Sequence, residues 1–149
     1  GLVSCCDLAV GSEHAKFCLS EVKIGLIPAT ISPYVIAAMG ARAARRYCMT
    51  AEIIGASDAH HLGLLSEVVA AEALDARVEH YVTTLLNNGP QAVRAAKRLV
   101  LDYADRAIDS ALIEDSCQRI AEIRVSAEGQ AGLTAFLNKS AAPWSSEHV

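Results

Sequence analysis

The sequence is poor in bulky side chains, in net charge and in long apolar runs. Aromatic residues make up 5% of its 149 positions, with one Trp, two Phe and four Tyr. The 52% hydrophobic content and the mean hydropathy of +0.28 therefore reflect Ala more than large groups, and small residues favour close helix packing. Thirteen Lys+Arg against 17 Asp+Glu leave a formal charge of −4 and a pI of 5.7, so the basic field of a nucleic-acid binder is missing. No apolar stretch approaches the ~20 residues that a bilayer-spanning helix needs, which predicts a soluble protein. Low-complexity tracts and flexible linkers are absent, which excludes collagen-like, mucin-like and disordered chains. The start, Gly1-Leu2-Val3-Ser4-Cys5-Cys6, carries neither an initiator Met nor a cationic signal region and reads as the interior of a longer protein. Five cysteines, at 5, 6, 18, 48 and 117, form no CxxC and no His-spaced zinc pattern. Their odd number predicts buried free thiols in a reducing compartment, with a reactive cysteine as the alternative. There is no GxGxxG, no Walker loop and no GxSxG.

What is present divides into a mixed α/β first part and a helical remainder, within a length that suits one domain or part of a larger one. Leu2–Ala9 is apolar apart from Ser4 and Asp7, and reads as a buried helix end running into a strand near Leu8-Ala9-Val10. Gly11–His14 supplies turn chemistry, and Lys16–Leu19 a short strand. Gly25, Pro28, Ser32 and Pro33 punctuate a loop that is unusually apolar for a surface connection, which suggests that it lines a site. Ser32 as N-cap and Pro33 in the first turn predict a helix to Gly40, its C-cap, and a second from about 41 to 50. That second helix carries Arg42, Arg45 and Arg46 on a polar face, with Tyr47 and Met49 available for packing. A short helix capped at Ser57-Asp58-Ala59 ends near Gly63, before a strand over 64–69. Helices are then expected at roughly 71–87, 90–104, 107–125 and 128–138, with Asn87-Asn88-Gly89-Pro90 ending one and starting the next.

Among the side chains that carry chemistry, Glu21 is the local candidate. It follows a short strand and precedes Gly25, facing Leu26-Ile27-Pro28-Ala29, so partial desolvation would raise its pKa toward a value suited to proton transfer. The alternative is a solvated carboxylate beside Lys23. His60 and His61 project about 100° apart on a helix and do not readily share one ion. Asp102, Asp105 and Asp109 alternate with Arg98 and Arg106 in the manner of a solvated helix face rather than a metal cluster.

Taken together, Cys6-Asp7-Leu8-Ala9-Val10, Ala15-Lys16-Phe17 and Ser20-Glu21-Val22-Lys23-Ile24-Gly25-Leu26-Ile27-Pro28 resemble the crotonase (enoyl-CoA hydratase/isomerase) superfamily. Further matches run through Ala41-Arg42-Ala43, Leu62–Val69, Gly89-Pro90 with Lys97, Gly132–Lys139 and Pro143-Trp144. The resemblance implies an α/β fold: the C-terminal part of a crotonase-like ββα superhelix over 1–70, followed by an α-helical trimerisation region over 71–149. It also implies an acyl-CoA thioester as substrate, a homotrimer or hexamer, a cytoplasmic location, and no cofactor beyond the coenzyme A of the substrate. Family members stabilise a thioester enolate with two backbone N–H groups. By the resemblance, both donors lie ahead of Gly1, and the helix that begins the chain would aim its dipole at the enolate.

Hydratases of the family orient one water with two glutamates. The later one matches Glu21, whereas the earlier one aligns with Gly1, which holds no water and shuttles no proton. Isomerases of the superfamily work with the later glutamate alone. In place of the glycine-rich loop of common hydratases stands Ala29-Thr30-Ile31-Ser32-Pro33-Tyr34-Val35. This run resembles the bacterial branch that hydrates methylglutaconyl-CoA and branched glutaconyl analogues in leucine and acyclic terpene breakdown. The same alignment assigns Gly1, Ser20, Leu26, Pro28 and Ala29 to the substrate path, and Lys139 to the CoA phosphates. The leading expectation is a hydratase, a lyase acting through Glu21. The alternatives are a single-glutamate isomerase and a non-catalytic fragment that oligomerises through its helices.

Overall fold

Alternation of apolar and polar residues is brief in this chain, and its strands are correspondingly short. The computed structural model describes residues 1–145. β1 (Val10–Ser12) pairs in parallel with β4 (Glu67–Val69), Val10 opposite Glu67 and Ser12 opposite Val69. β2 (Lys16–Phe17) pairs antiparallel with β3 (Ile54–Gly55). The α/β character expected of the first part is present, and the described residues after Val69 are helical or connecting. Contacts divide the chain into two compact units, Gly1–Glu79 and the residues from His80 onward.

In the first unit, α1 (Ser32–Thr50) and α2 (Ala56–His61) bury one continuous core. Leu19, Val35, Met39, Ala44, Tyr47, Ile54, Ala59, Leu64 and Leu65 form it. α1 is two helical rods, because Gly40 sits at φ 76°, ψ 154°, a conformation costly for any residue with a Cβ. The helix break expected at Gly40 is therefore real. Ser32 is not the cap: it lies inside the first turn, and its hydroxyl donates backward to the Ala29 carbonyl at 3.1 Å. Of Tyr47 and Met49, both expected to be available for packing, only Tyr47 is buried. Tyr47 is 3% exposed and Met49 70%, since two residues turn a helix by about 200°.

The segment before β1 holds only a one-turn 3-10 helix, Val3–Cys5, with no buried residue, so the expected buried helix end is absent. A single turn has too little surface to bury an apolar stripe. The same exposure overturns the expectation for the cysteines: all five are free, but 5, 6, 18 and 117 are exposed and Cys48 is only half-buried.

After a 3-10 turn at Ala71–Ala73, α3 (Leu74–Leu86) carries the chain into the second unit. There α4 (Pro90–Tyr103), α5 (Ser110–Val125) and α6 (Ala127–Leu137) lie close to the expected spans. Pro90 opens α4 as its spacing predicted. The aspartates are not a uniformly solvated face. Asp102 receives Arg119 at 2.8 Å as well as Arg98, and Asp115 receives Arg119 at 2.7 Å and the Tyr103 hydroxyl at 2.6 Å. Arg119 thus ties α4 to α5; its hydrogen bond is the main cause that holds the Asp102 carboxyl below the usual range. Asp109 caps α5 through the Leu112 N–H at 2.8 Å, and Asp105 lies in the connection at φ 61°.

Glu128 caps a helix other than its own. Its carboxylate accepts the N–H groups of Gln91 and Ala92 at 2.8–3.0 Å, at the α4 N-terminus, where four amides lack helical partners. Glu128→Ala is expected to lower stability by about 1–2 kcal/mol in urea unfolding, with Glu128→Gln recovering part of the loss, because an amide oxygen still accepts. No loss in Glu128→Ala would mean that the cap contributes nothing.

Candidate functional site

Leu19 anchors the site by burying its side chain in the core, and the chain then reverses over Ser20–Gly25. Glu21–Ile24 form a one-turn 3-10 helix. Lys23 donates to the Ser20 carbonyl at 3.0 Å, Gly25 to Val22 at 3.2 Å and Leu26 to Glu21 at 3.0 Å. Gly25 closes the turn at φ 76°, in the left-handed region that glycine enters without steric cost. Beyond it, Ala29 donates to Ile27 at 2.8 Å, and Ser32 to Pro28 at 3.0 Å as α1 begins. Pro28 is buried, while Leu26, Ile27 and Ala29 are exposed. The loop therefore keeps the apolar surface to solvent that the sequence led one to expect of a site wall.

Glu21 is half-buried, and its Oε2 is closed off from solvent with no hydrogen-bond partner. An acceptor left unpaired in this way is costly unless a donor arrives, which is what a bound water or substrate supplies. Its turn packs against α1, and Cys48 is the α1 side chain that senses the carboxylate. Burial first, and the Glu21 charge second, push the Cys48 thiol up. Kept protonated at ordinary pH, the Cys48 thiol places no second negative charge beside Glu21. Sequence reasoning did not single out Cys48; its only signal is its place one residue after Tyr47 on the same helix.

Gly1 belongs to the same neighbourhood through Ile31. A Cβ at position 1 would stand 2.6 Å from Ile31 Cγ2 and 3.3 Å from its Cβ, so the Ile31 side chain occupies the room a side chain at position 1 would need. Ile31 was not singled out either, and its signal is the apolar run from Gly25 to Ile31. Gly1→Ala, in the protein at its natural length, is expected to cost about 1–3 kcal/mol, because a β-branched neighbour yields little. Ile31→Ala in the same background should relieve most of that loss. Additive losses in urea unfolding would deny the contact.

Ser20, Glu21, Leu26, Pro28 and Ala29 thus share one turn and loop, with Gly1 against its far end. Lys139 belongs to the second unit, where it follows α6 at φ 53° and donates its N–H to the Phe136 carbonyl at 3.2 Å. His60 and His61 lie exposed on the last turn of α2. No helix among the described residues is long and apolar enough to cross a membrane.

The geometry can be set beside known proteins. A family model described as enoyl-CoA hydratase/isomerase matches residues 1–147. The crystal structure of an enoyl-CoA hydratase from Shewanella pealeana superposes with a TM-score of 0.90 at 47% identity, over 96% of this chain and 53% of that one. A crotonyl-CoA hydratase of Syntrophomonas wolfei is 29% identical over 93% of the chain and 53% of its own length. A 2,3-dehydroadipyl-CoA hydratase of Escherichia coli is 26% identical over 90% of the chain and 52% of its own length. The chain spans about half the length of these relatives.

Proposed function

Because the chain belongs to the enoyl-CoA hydratase/isomerase family, we propose that the protein at its natural length adds water across the 2,3-double bond of an enoyl-CoA, with Glu21 as its acid–base residue. The observation that carries this reading is the shielded, unpartnered Oε2 of Glu21 on a turn packed against α1. Glu21 takes a proton from the water whose oxygen bonds to C3, and a proton returns to C2, so that one water is added in all. The thioester enolate formed between these steps needs N–H donors, which the family supplies from backbone. Gly1, Ser20, Leu26, Pro28 and Ala29 wall the acyl and pantetheine path.

For the substrate we favour a branched glutaconyl-type thioester. The run Ala29–Val35 supports it, as does a relative whose named substrate, 2,3-dehydroadipyl-CoA, carries a second carboxylate. The helical second unit would assemble trimers or hexamers. In support, Phe136 and Leu137 on α6 are 79% and 76% exposed in the single chain, apolar area that a partner would cover. Five free thiols favour a reducing, cytoplasmic setting, and no cofactor beyond the coenzyme A of the substrate is invoked.

A second reading rests on Gly1 and Ile31. With no room for a carboxylate at position 1, Glu21 alone would carry a proton from C2 of a 3-enoyl-CoA to C4, moving the double bond. Turnover in heavy-oxygen water separates the two. Solvent oxygen at C3 of the product identifies hydration, and a shifted double bond without solvent oxygen identifies the isomerase.

A further inference from the structure

α1 and α2 line an open cavity of about 590 Å³ that includes no residue of the Glu21 turn. Met39 and Tyr47, both buried, supply its apolar lining together with Leu62. Arg42 and Arg46, one helical turn apart, line it together with Asp58 and His61. The two arginines differ in kind. Arg46 is already engaged: Glu52 accepts from its Nε at 2.9 Å and its Nη2 at 2.7 Å, and its guanidinium lies 5.0 Å from the Tyr47 ring centre. Among the described residues Arg42 has no hydrogen bond or ion pair, and the Asp58 carboxylate accepts no hydrogen bond but lies near enough to Arg46 to act on its charge.

A cavity lined by apolar side chains, an unpaired guanidinium and a carboxylate that accepts no hydrogen bond among the described residues complements a small molecule with both charges and an apolar tail. An arginine fork receives a carboxylate in two parallel bonds, and an ammonium group satisfies the aspartate. The volume falls in the range of small-molecule sites. We propose that this cavity binds a free α-amino acid with an unbranched or bulky apolar side chain, its carboxylate on Arg42, its ammonium on Asp58, and its side chain over Met39, Tyr47 and Leu62.

The proposal does not depend on the acyl-CoA chemistry. Its test is calorimetric titration of the protein at its natural length with L-norleucine, and with hexanoate and pentylamine, which each lack one of the two charges. L-Norleucine is expected to saturate at one per chain, with both half-ligands at least tenfold weaker. Arg42→Ala, Arg42→Gln and Asp58→Asn should each weaken L-norleucine at least tenfold, whereas Glu21→Gln should leave it unchanged. Arg42 and Asp58 are exposed, so these variants should keep the parental melting temperature. Absence of saturation by about 10 mM, beyond the millimolar range of weak specific binding, would overturn the proposal. So would hexanoate binding as tightly as L-norleucine, or binding that survives Arg42→Ala.

Discussion

Glu21→Gln is expected to lower the turnover of an enoyl-CoA by about 10²–10⁴-fold, the usual contribution of a positioned acid–base group, with little change in KM. The amide keeps the size of the carboxyl and leaves the turn intact, because the hydrogen bonds that hold Ser20–Leu26 run between backbone atoms. What is lost is the proton acceptor. The unpartnered Oε2 becomes either an amide nitrogen or a weaker acceptor, and neither takes a proton from water. Steady-state kinetics on the protein at its natural length decides the matter: a variant at full rate takes Glu21 out of the chemistry. A rise in KM at constant kcat would assign it to substrate binding instead.

Ile54→Ala is expected to cost about 2–5 kcal/mol, the range for deleting a large buried aliphatic side chain. Ile54 is 1% exposed, lies on β3 opposite Phe17 and joins the core formed by both rods of α1. Removing it leaves a void that β-pairing and helix packing jointly prevent from closing. The adjacent Ile53 is 62% exposed, and its replacement by Ala should change stability by no more than about 0.5 kcal/mol. Urea unfolding with a common m-value compares the two directly. Equal losses at both positions would place Ile53 in a contact that the single chain does not contain.

The helices from α3 onward were legible because their signals are local. Asn87–Pro90 ends one helix and begins the next, and Gly40 breaks another at the expected residue. Strand partners were not legible, since nothing near Val10 indicates that Glu67 will lie opposite. Cysteine burial does not follow from residue type, because exposure depends on how much surface surrounds a short turn such as Val3–Cys5. Of the site, Glu21 was visible only through a set of residues at fixed offsets; its own surroundings gave a weak signal. Ile31 and Cys48 stayed hidden, because contact across a reversed loop or between a turn and a helix leaves no periodic trace. Arg42, Arg46 and Asp58 were read as features of separate helices. Only the packing of those helices makes a cavity of them.

The parallel pairing of β1 with β4 also bears on how the chain acquires its fold. The Ala9 N–H donates to Ser66 Oγ across 57 positions, and the two strands continue in register from there. A loop that long must close before any of these contacts repays its entropy. In the second unit most contacts form within or between neighbouring helices, which nucleate in microseconds. Refolding should therefore be slow for the residues up to Glu79 and fast for those after it. On a ribosome the β1 strand would wait, unpaired, until β4 had been synthesised and had emerged.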